Sequence, residues 1–117
     1  MSNIQNRLKL IQKKINFIQN ICAKNGSITR ALEDEENSRA SILMHLTSIA
    51  EQFDKLAKDA EFDTLSKFDK NDLKGSYDVR NYIAHDYEGI NLAIIELIIR
   101  EKLPKMKLII EKELTKN

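Results

Sequence analysis

Side chains capable of chemistry are concentrated in one stretch, residues 78–87. It holds one of only two histidines in the chain and two of the three tyrosines, together with an arginine and an asparagine. A histidine moves protons near neutral pH, and an arginine binds a phosphate through its planar guanidinium group. This pair can cleave a phosphodiester without a metal or a cofactor, and we predict neither. No glycine-rich phosphate loop, Cys-His cluster or acidic pair in the sequence indicates a competing mechanism.

The stretch presents a geometric problem when it is drawn as an α-helix. A ridge with the spacing of a buried seam consists of Leu73, Tyr77, Arg80, Ala84 and Tyr87. His85 lies about 140° around the helix from Arg80, because successive residues are ~100° apart. The two side chains therefore do not converge from the middle of one straight helix. A frayed helix end, the reach of the arginine, or a symmetric dimer would bring them together, and a dimer also supplies two histidines, one base and one acid.

Apolar periodicity predicts two long helices before this stretch. In residues 3–24, and again in residues 36–60, apolar side chains recur at alternating spacings of four and three, as they do on a helix with one buried face. Gly26 suits the left-handed position that follows the first helix, and Ser27 caps a short helical turn over residues 28–32. Because the two long helices share the same spacing, we expect them to pack as an antiparallel pair.

A polar linker over residues 58–64 should lead to the helix that carries the motif. Asp69 is a suitable N-cap for that helix, and Asp72 three residues later gives an arrangement that resembles a capping box. The helix should end near Tyr87, since Gly89 follows. This boundary places His85 and Tyr87 together in the last helical turn.

The final helix is apolar on nearly every side. Asn91 is its predicted N-cap, and Pro104 is expected to kink or restart it. A helix of this kind is either central to the core or shared with an interface. Together these segments predict an all-α fold, an antiparallel bundle of four to five helices.

Length and composition describe one domain over residues 1–117. Hydrophobic residues make up 42% of the chain and charged residues 32%, which is typical of a globular protein. The net charge of +1 lacks the basic excess of a protein that coats duplex nucleic acid, although it leaves room for a local basic cleft. Cys22 is the only cysteine and follows an apolar stripe, so we expect a buried thiol and a reducing compartment. No apolar run is long enough for a membrane span, and we predict a cytoplasmic protein.

The spacing of Arg80, His85 and Tyr87 is an R-x4-H-x-Y motif, which resembles that of HEPN-domain proteins, specifically the HepT toxin branch. The resemblance extends over essentially the whole chain. It implies a homodimer, with larger assemblies open, that acts as a metal-independent endoribonuclease on RNA. Arg80 would bind the scissile phosphate, and His85 would exchange a proton with the ribose 2′-hydroxyl or the leaving oxygen.

The resemblance also implies supporting residues and a protein partner. Asn81 would orient His85 from one turn below, and Asp86 and Asp78 are candidate supporting residues. The cognate antitoxin would be a nucleotidyltransferase similar to MntA, which adds AMP to Tyr87 and so blocks the site. The alternative is a catalytically silent helical scaffold or nucleotide-binding module, in which Arg80 pairs with an acid across a dimer interface.

Overall fold

The structure, a computed structural model, describes residues 3–116, and every regular element in that range is helical. Residues 1, 2 and 117 of the predicted domain lie outside the described residues. The helices are α1 (Ile4–Asn25), α2 (Ile28–Glu33), α3 (Ala40–Lys58), α4 (Phe62–Leu65), α5 (Lys70–His85), α6 (Leu92–Leu97) and α7 (Leu103–Leu114). A π-helical segment, Glu35–Arg39, leads into α3, and a second, Ile98–Lys102, joins α6 to α7. The predicted all-α bundle is confirmed.

The first two long helices pack as the predicted antiparallel pair. Arg7 near the start of α1 donates a hydrogen bond to Gln52 late in α3 (3.3 Å), whereas Asn25 at the end of α1 donates one to Ser38 just before α3 (3.0 Å). Helix α3 lies between α1 and α5, and α7 packs on α1. The side chains at the centre of this arrangement are fully buried: Ile11, Ile15, Ile18, Ile42, Phe53, Leu56 and Ile110.

The start of α5 follows the prediction at its N-cap and departs from it one turn later. The Asp69 carboxylate accepts hydrogen bonds from the backbone N–H groups of Asn71 (2.7 Å) and Asp72 (3.2 Å). The Asp72 side chain does not complete a capping box. It is buried and pairs instead with Lys102 (3.2 Å) and Lys105 (3.1 Å), which ties the first turn of α5 to the last helix.

The end of α5 differs from the prediction. The helix stops at His85 rather than near Tyr87, because Asp86 leaves the helical region (φ −150°, ψ 62°) while its N–H still donates to the Tyr82 carbonyl (2.8 Å). Tyr87 begins a separate 3-10 turn, Tyr87–Gly89. The Asp86 carboxylate lies close over Gly89, so a side chain at position 89 would displace it.

The predicted buried seam is correct only for the first part of α5. Leu73, Tyr77 and Arg80 are half-buried, whereas Ala84 and Tyr87 are exposed. Val79 is the last buried residue of the helix, so the final turns extend beyond the core, and Tyr87 has left the helical ridge altogether.

Three further segments test the predicted boundaries. Part of the linker predicted over residues 58–64 is helical, since α4 begins at Phe62 after Ala60 adopts a left-handed conformation (φ 57°). Asn91 caps α6 as expected, accepting from the N–H groups of Ala93 (2.9 Å) and Ile94 (3.4 Å). The disturbance expected at Pro104 appears as the π-helical segment before it, which accommodates a residue that has no N–H to donate.

Candidate functional site

Arg80 is half-buried and lies one turn after Tyr77 on the same ridge of α5. Leu73 and Tyr77 of that ridge pack against the core. Burial, and next the negative charge of Asp54 on α3, raise the pKa of Tyr77. Arg80 therefore follows the part of α5 that packs on the core.

His85 lies on a different side of the same helix. It is exposed and is the last residue of α5. Because α5 stays helical through this position, His85 remains about 140° around the helix from Arg80. A frayed helix end therefore does not bring the pair together. Two of the predicted ways to bring them together remain: the reach of the arginine side chain, and a second copy of the protein.

Both candidate catalytic side chains lack a protein partner within residues 3–116. Neither Arg80 nor His85 forms an ion pair or a side-chain hydrogen bond there. A guanidinium that no carboxylate neutralises is available to an anionic ligand. An exposed imidazole is likewise accessible to a substrate.

The predicted supporting residues are near the pair in sequence but do not contact it in the protomer. Asp78 is paired with Lys74 (2.9 Å), one turn back on α5. Asn81 is exposed and forms no hydrogen bond to His85 among the described residues. Asp86 is engaged with the turn at Gly89. Their supporting roles stay predictions.

Tyr87, the predicted modification site, is accessible. Its side chain is 38% exposed, in the turn that directly follows His85. The departure of the chain from the helix at Asp86 separates this tyrosine from the Arg80 ridge and places it beside the end of α5. A hydroxyl in this position can be reached by an enzyme without unfolding of the helix.

An apolar groove of about 560 Å³ is lined by α3, α5 and the segment that runs from α6 into α7. Its lining includes Leu46 and Ile49 of α3, Val79 and Tyr82 of α5, and Ile94 and Leu97 of α6. Three of these large hydrophobic side chains are exposed: Tyr82 is 62% exposed, Ile94 50% and Leu97 41%. The sequence carried the signal for Ile94 and Leu97, since the final helix is apolar on nearly every side.

His85 extends the row of α5 residues that borders this groove. Asp78 and Tyr82 line the groove, and His85 lies seven residues after Asp78, which is about 20° around the helix. Gly89 beyond the helix end lines it as well. A second molecule bound in the groove would therefore lie next to His85.

Within residues 3–116, no group of three or more His, Cys, Asp and Glu side chains is placed to hold a metal ion. None of the helices in that range is both long and apolar enough to cross a membrane. The free thiol of Cys22 is buried, as predicted, and burial raises its pKa.

A comparison with protein families gives one match over residues 9–113, to the model described as "Ribonuclease HepT-like". The match covers nearly the whole chain and includes every candidate site residue. Searches of curated proteins and of solved structures gave no match.

Proposed function

The chain belongs to the HepT-like ribonuclease family, and from that premise we propose that it is a toxin that cleaves RNA without a metal, through Arg80 and His85. The observation that carries the proposal is that these two residues share one helix and that neither forms an ion pair within residues 3–116. The nearby acid, Asp78, is occupied by Lys74.

The proposed reaction is a transphosphorylation within the RNA. The ribose 2′-oxygen attacks the adjacent phosphorus, and the bond from phosphorus to the 5′-oxygen breaks. One imidazole removes the 2′-hydroxyl proton, and a protonated imidazole gives a proton to the leaving 5′-oxygen. Arg80 stabilises the charge that develops on the phosphoryl oxygens. The products are a 2′,3′-cyclic phosphate and a free 5′-hydroxyl.

The geometry of α5 supports a homodimer as the active form. One protomer supplies a single motif histidine, whereas the reaction needs both a base and an acid. One protomer also directs Arg80 and His85 to different sides of a helix. A second copy seated on the groove would cover the exposed side chains of Tyr82, Ile94 and Leu97 and place the two His85 residues at a shared edge.

Control by a nucleotidyltransferase antitoxin similar to MntA is the second part of the proposal. The Tyr87 hydroxyl would attack the α-phosphate of ATP, forming an adenylyl-tyrosine and releasing pyrophosphate. The exposure of Tyr87 and its position two residues after His85 support this choice. The added nucleotide would place bulk and negative charge beside the site and compete with RNA for Arg80. The proposed substrates, RNA and ATP, are consistent with the predicted cytoplasmic location.

The test combines intact mass with RNA cleavage. The protein is purified after expression alone and after expression with the neighbouring gene, and each sample is incubated with RNA. We expect the co-expressed protein to gain one or more AMP units of ~329 Da each on Tyr87. Only the unmodified protein should cleave RNA, and His85→Ala should not cleave it.

Two controls sharpen this test. Tyr82→Phe removes the other exposed tyrosine near the groove and should leave the mass gain intact, whereas Tyr87→Phe should abolish it. Absence of both the mass gain and His85-dependent cleavage would favour the alternative, a helical scaffold without nuclease activity.

A further inference from the structure

The charges of this chain are divided unequally between its two parts. Residues 1–32 contain six Lys and Arg and no Asp or Glu, whereas residues 33–117 contain the other thirteen cations and all eighteen acids. The first part therefore carries a charge of +6 and the second −5, and the net +1 conceals this division. Most of the first part is α1, so one helix concentrates the positive charge.

The solvent side of α1 presents that charge as a continuous stripe. Its exposed residues on the face opposite the core are Asn6, Lys9, Lys13, Phe17, Asn20 and Lys24. From Lys9 to Lys24 the stripe is about 22 Å long, at 1.5 Å per residue. No ion pair within residues 3–116 involves any lysine of α1. These cations are therefore available to an external polyanion.

An exposed aromatic ring lies within the stripe. Phe17 is 37% exposed, and the ammonium groups of Lys13 and Lys14 lie 5.6 and 5.7 Å from its ring centroid. An exposed phenylalanine with two lysines close to its ring combines an aromatic surface for stacking with charges for phosphates. This is the combination with which proteins bind single-stranded nucleic acid.

His45 of α3 supports the Phe17 ring from the side. The two ring centroids are 5.2 Å apart, with the planes tilted by 46°. His45 Nε2 is 3.4 Å from the Ser41 hydroxyl, whereas its Nδ1 is buried without a hydrogen-bond partner in the described chain. The half-buried imidazole thus packs against Phe17, whose side chain is 37% exposed.

We propose that this stripe of α1, centred on Lys13 and Phe17 and joined by the neighbouring half-buried Lys14, is a second RNA-contact surface that binds a single-stranded segment away from the cleaved bond. A base would stack on Phe17, and the flanking phosphates would pair with the lysines. The choice of RNA as the ligand rests on the proposed ribonuclease function. The surface lies on α1, and the cleavage residues lie on α5, which packs against the other side of α3.

RNA fits this surface better than an anionic membrane does. A helix that lies in a membrane presents a broad apolar face. The large aliphatic residues of α1 are buried or half-buried, and Ile11, Ile15 and Ile18 are wholly buried in the core. Phe17 is the only large apolar side chain of the solvent stripe, and the asparagines beside it suit a hydrated polyanion.

The experiment measures binding separately from cleavage. A labelled single-stranded RNA of twelve nucleotides is titrated with His85→Ala protein, in which the RNA should survive, and binding is followed by fluorescence anisotropy. Adding Lys13→Gln and Lys14→Gln should weaken binding about tenfold and reduce the slope of log K against log salt by about 1.4, at ~0.7 per lost charge. Phe17→Ala should also weaken binding about tenfold, through loss of stacking.

The chain provides a matched control in its other strongly exposed phenylalanine. Phe62 on α4 is 64% exposed, and Lys67 and Lys70 lie nearby in sequence. Phe62→Ala, and Lys67→Gln with Lys70→Gln, should leave the RNA affinity within about twofold of the parent. Circular dichroism checks that each variant is folded, and the lysine variants keep the test valid if Phe17→Ala unfolds.

Two results would overturn the inference. The first is an unchanged RNA affinity and salt slope in the Lys13 and Lys14 variant. The second is a variant that loses binding to phosphatidylserine vesicles but keeps its binding to RNA, which would assign the surface to a membrane. A second assay, in protein that retains His85, separates this inference from the proposed function. The lysine variant should cleave a dinucleotide as the parent does, but should show a raised KM and unchanged kcat on the twelve-nucleotide RNA. If no RNA is cleaved in a His85-dependent manner, the ribonuclease proposal fails, while the binding data still decide the surface.

Discussion

Arg80 and His85 lie five residues apart on one uninterrupted α-helix, and their side chains leave it about 140° apart. Arg80 is half-buried, and His85 is exposed at the C-terminal end. Neither side chain is neutralised by another within residues 3–116. In the proposed dimer each protomer would offer both groups, and assembly would decide which arginine meets which histidine.

Replacement of Arg80 by alanine separates a catalytic arginine from a structural one. We expect RNA cleavage to fall by about 10²–10³, the cost of removing one group that stabilises transition-state charge. The proposed dimer should persist, because Arg80 does not line the groove that we propose as its interface. Cleavage is measured on a labelled RNA, and the mass of the assembly by sedimentation.

Arg100→Ala is the matched control for that substitution. Arg100 is an exposed arginine that pairs with Glu96 (2.8 Å), and its loss should leave cleavage nearly unchanged. If Arg80→Ala dissociates the dimer and Arg100→Ala does not, the scaffold alternative, with Arg80 as an interface residue, becomes the better account.

A charge placed in the apolar groove tests whether assembly is required for cleavage. Leu97 is 41% exposed and lines the groove, so Leu97→Glu should repel a second copy without disturbing the core. We expect a monomer that has lost cleavage although Arg80 and His85 are unchanged. Leu108→Glu is the control: Leu108 is 61% exposed on α7, outside the groove lining, and this variant should remain dimeric and active. An active Leu97→Glu monomer would show that one protomer suffices.

The helices were predictable because their core faces are long and regular. Ile11, Ile15 and Ile18 repeat the spacing of a buried face, and one register satisfies all of them. The end of α5 was not predictable from periodicity. The helix ends where Asp86 leaves the helical region, and apolar spacing contains no information about that backbone change. The relation between Arg80 and His85 was predictable, because helix geometry fixes it once the helix is known.

The partners of Asp72 illustrate a different limit of prediction from sequence. From the sequence, its place three residues after Asp69 resembles a capping box, which is a local interaction. The structure gives it Lys102 and Lys105, thirty or more residues away. Pairing over such a distance depends on how α5 and the last helix pack, and a local motif cannot specify it.

Asp72→Asn should therefore destabilise the fold. The Asp72 side chain is only 4% exposed, and the substitution leaves two lysines without their carboxylate. Because those lysines are 40% and 48% exposed, solvent screens part of the loss, and we expect a decrease of about 1–2 kcal/mol in the free energy of unfolding. Urea denaturation followed by circular dichroism measures it.

Asp69→Asn is the control for this measurement. Asparagine caps helices about as well as aspartate, and the ion pair that Asp69 loses is exposed. The change should therefore be within about 0.5 kcal/mol. Equal losses in the two variants would mean that the buried position of Asp72 adds nothing to its ion pairs.

His45 should make the stability of the protein depend on pH between about 5.5 and 7.5. Burial, and next the positive charge of Lys14, lower the pKa of His45 below its ordinary value of 6.5. In this range the unfolded chain therefore binds more protons at His45 than the folded protein does, so acidification favours unfolding. The carboxylates of Asp34, Asp69 and Glu96 have lowered pKa values, and their contribution to stability is lost only at lower pH.

The measurement is the urea midpoint of unfolding at each pH. We expect this midpoint to decrease when the pH is lowered from 7.5 to 5.5, and we expect His45→Gln to remove much of that decrease. His85→Gln, which replaces the exposed histidine, provides the comparison. A fall of the same size in the parent and in His45→Gln would assign the pH dependence to another group.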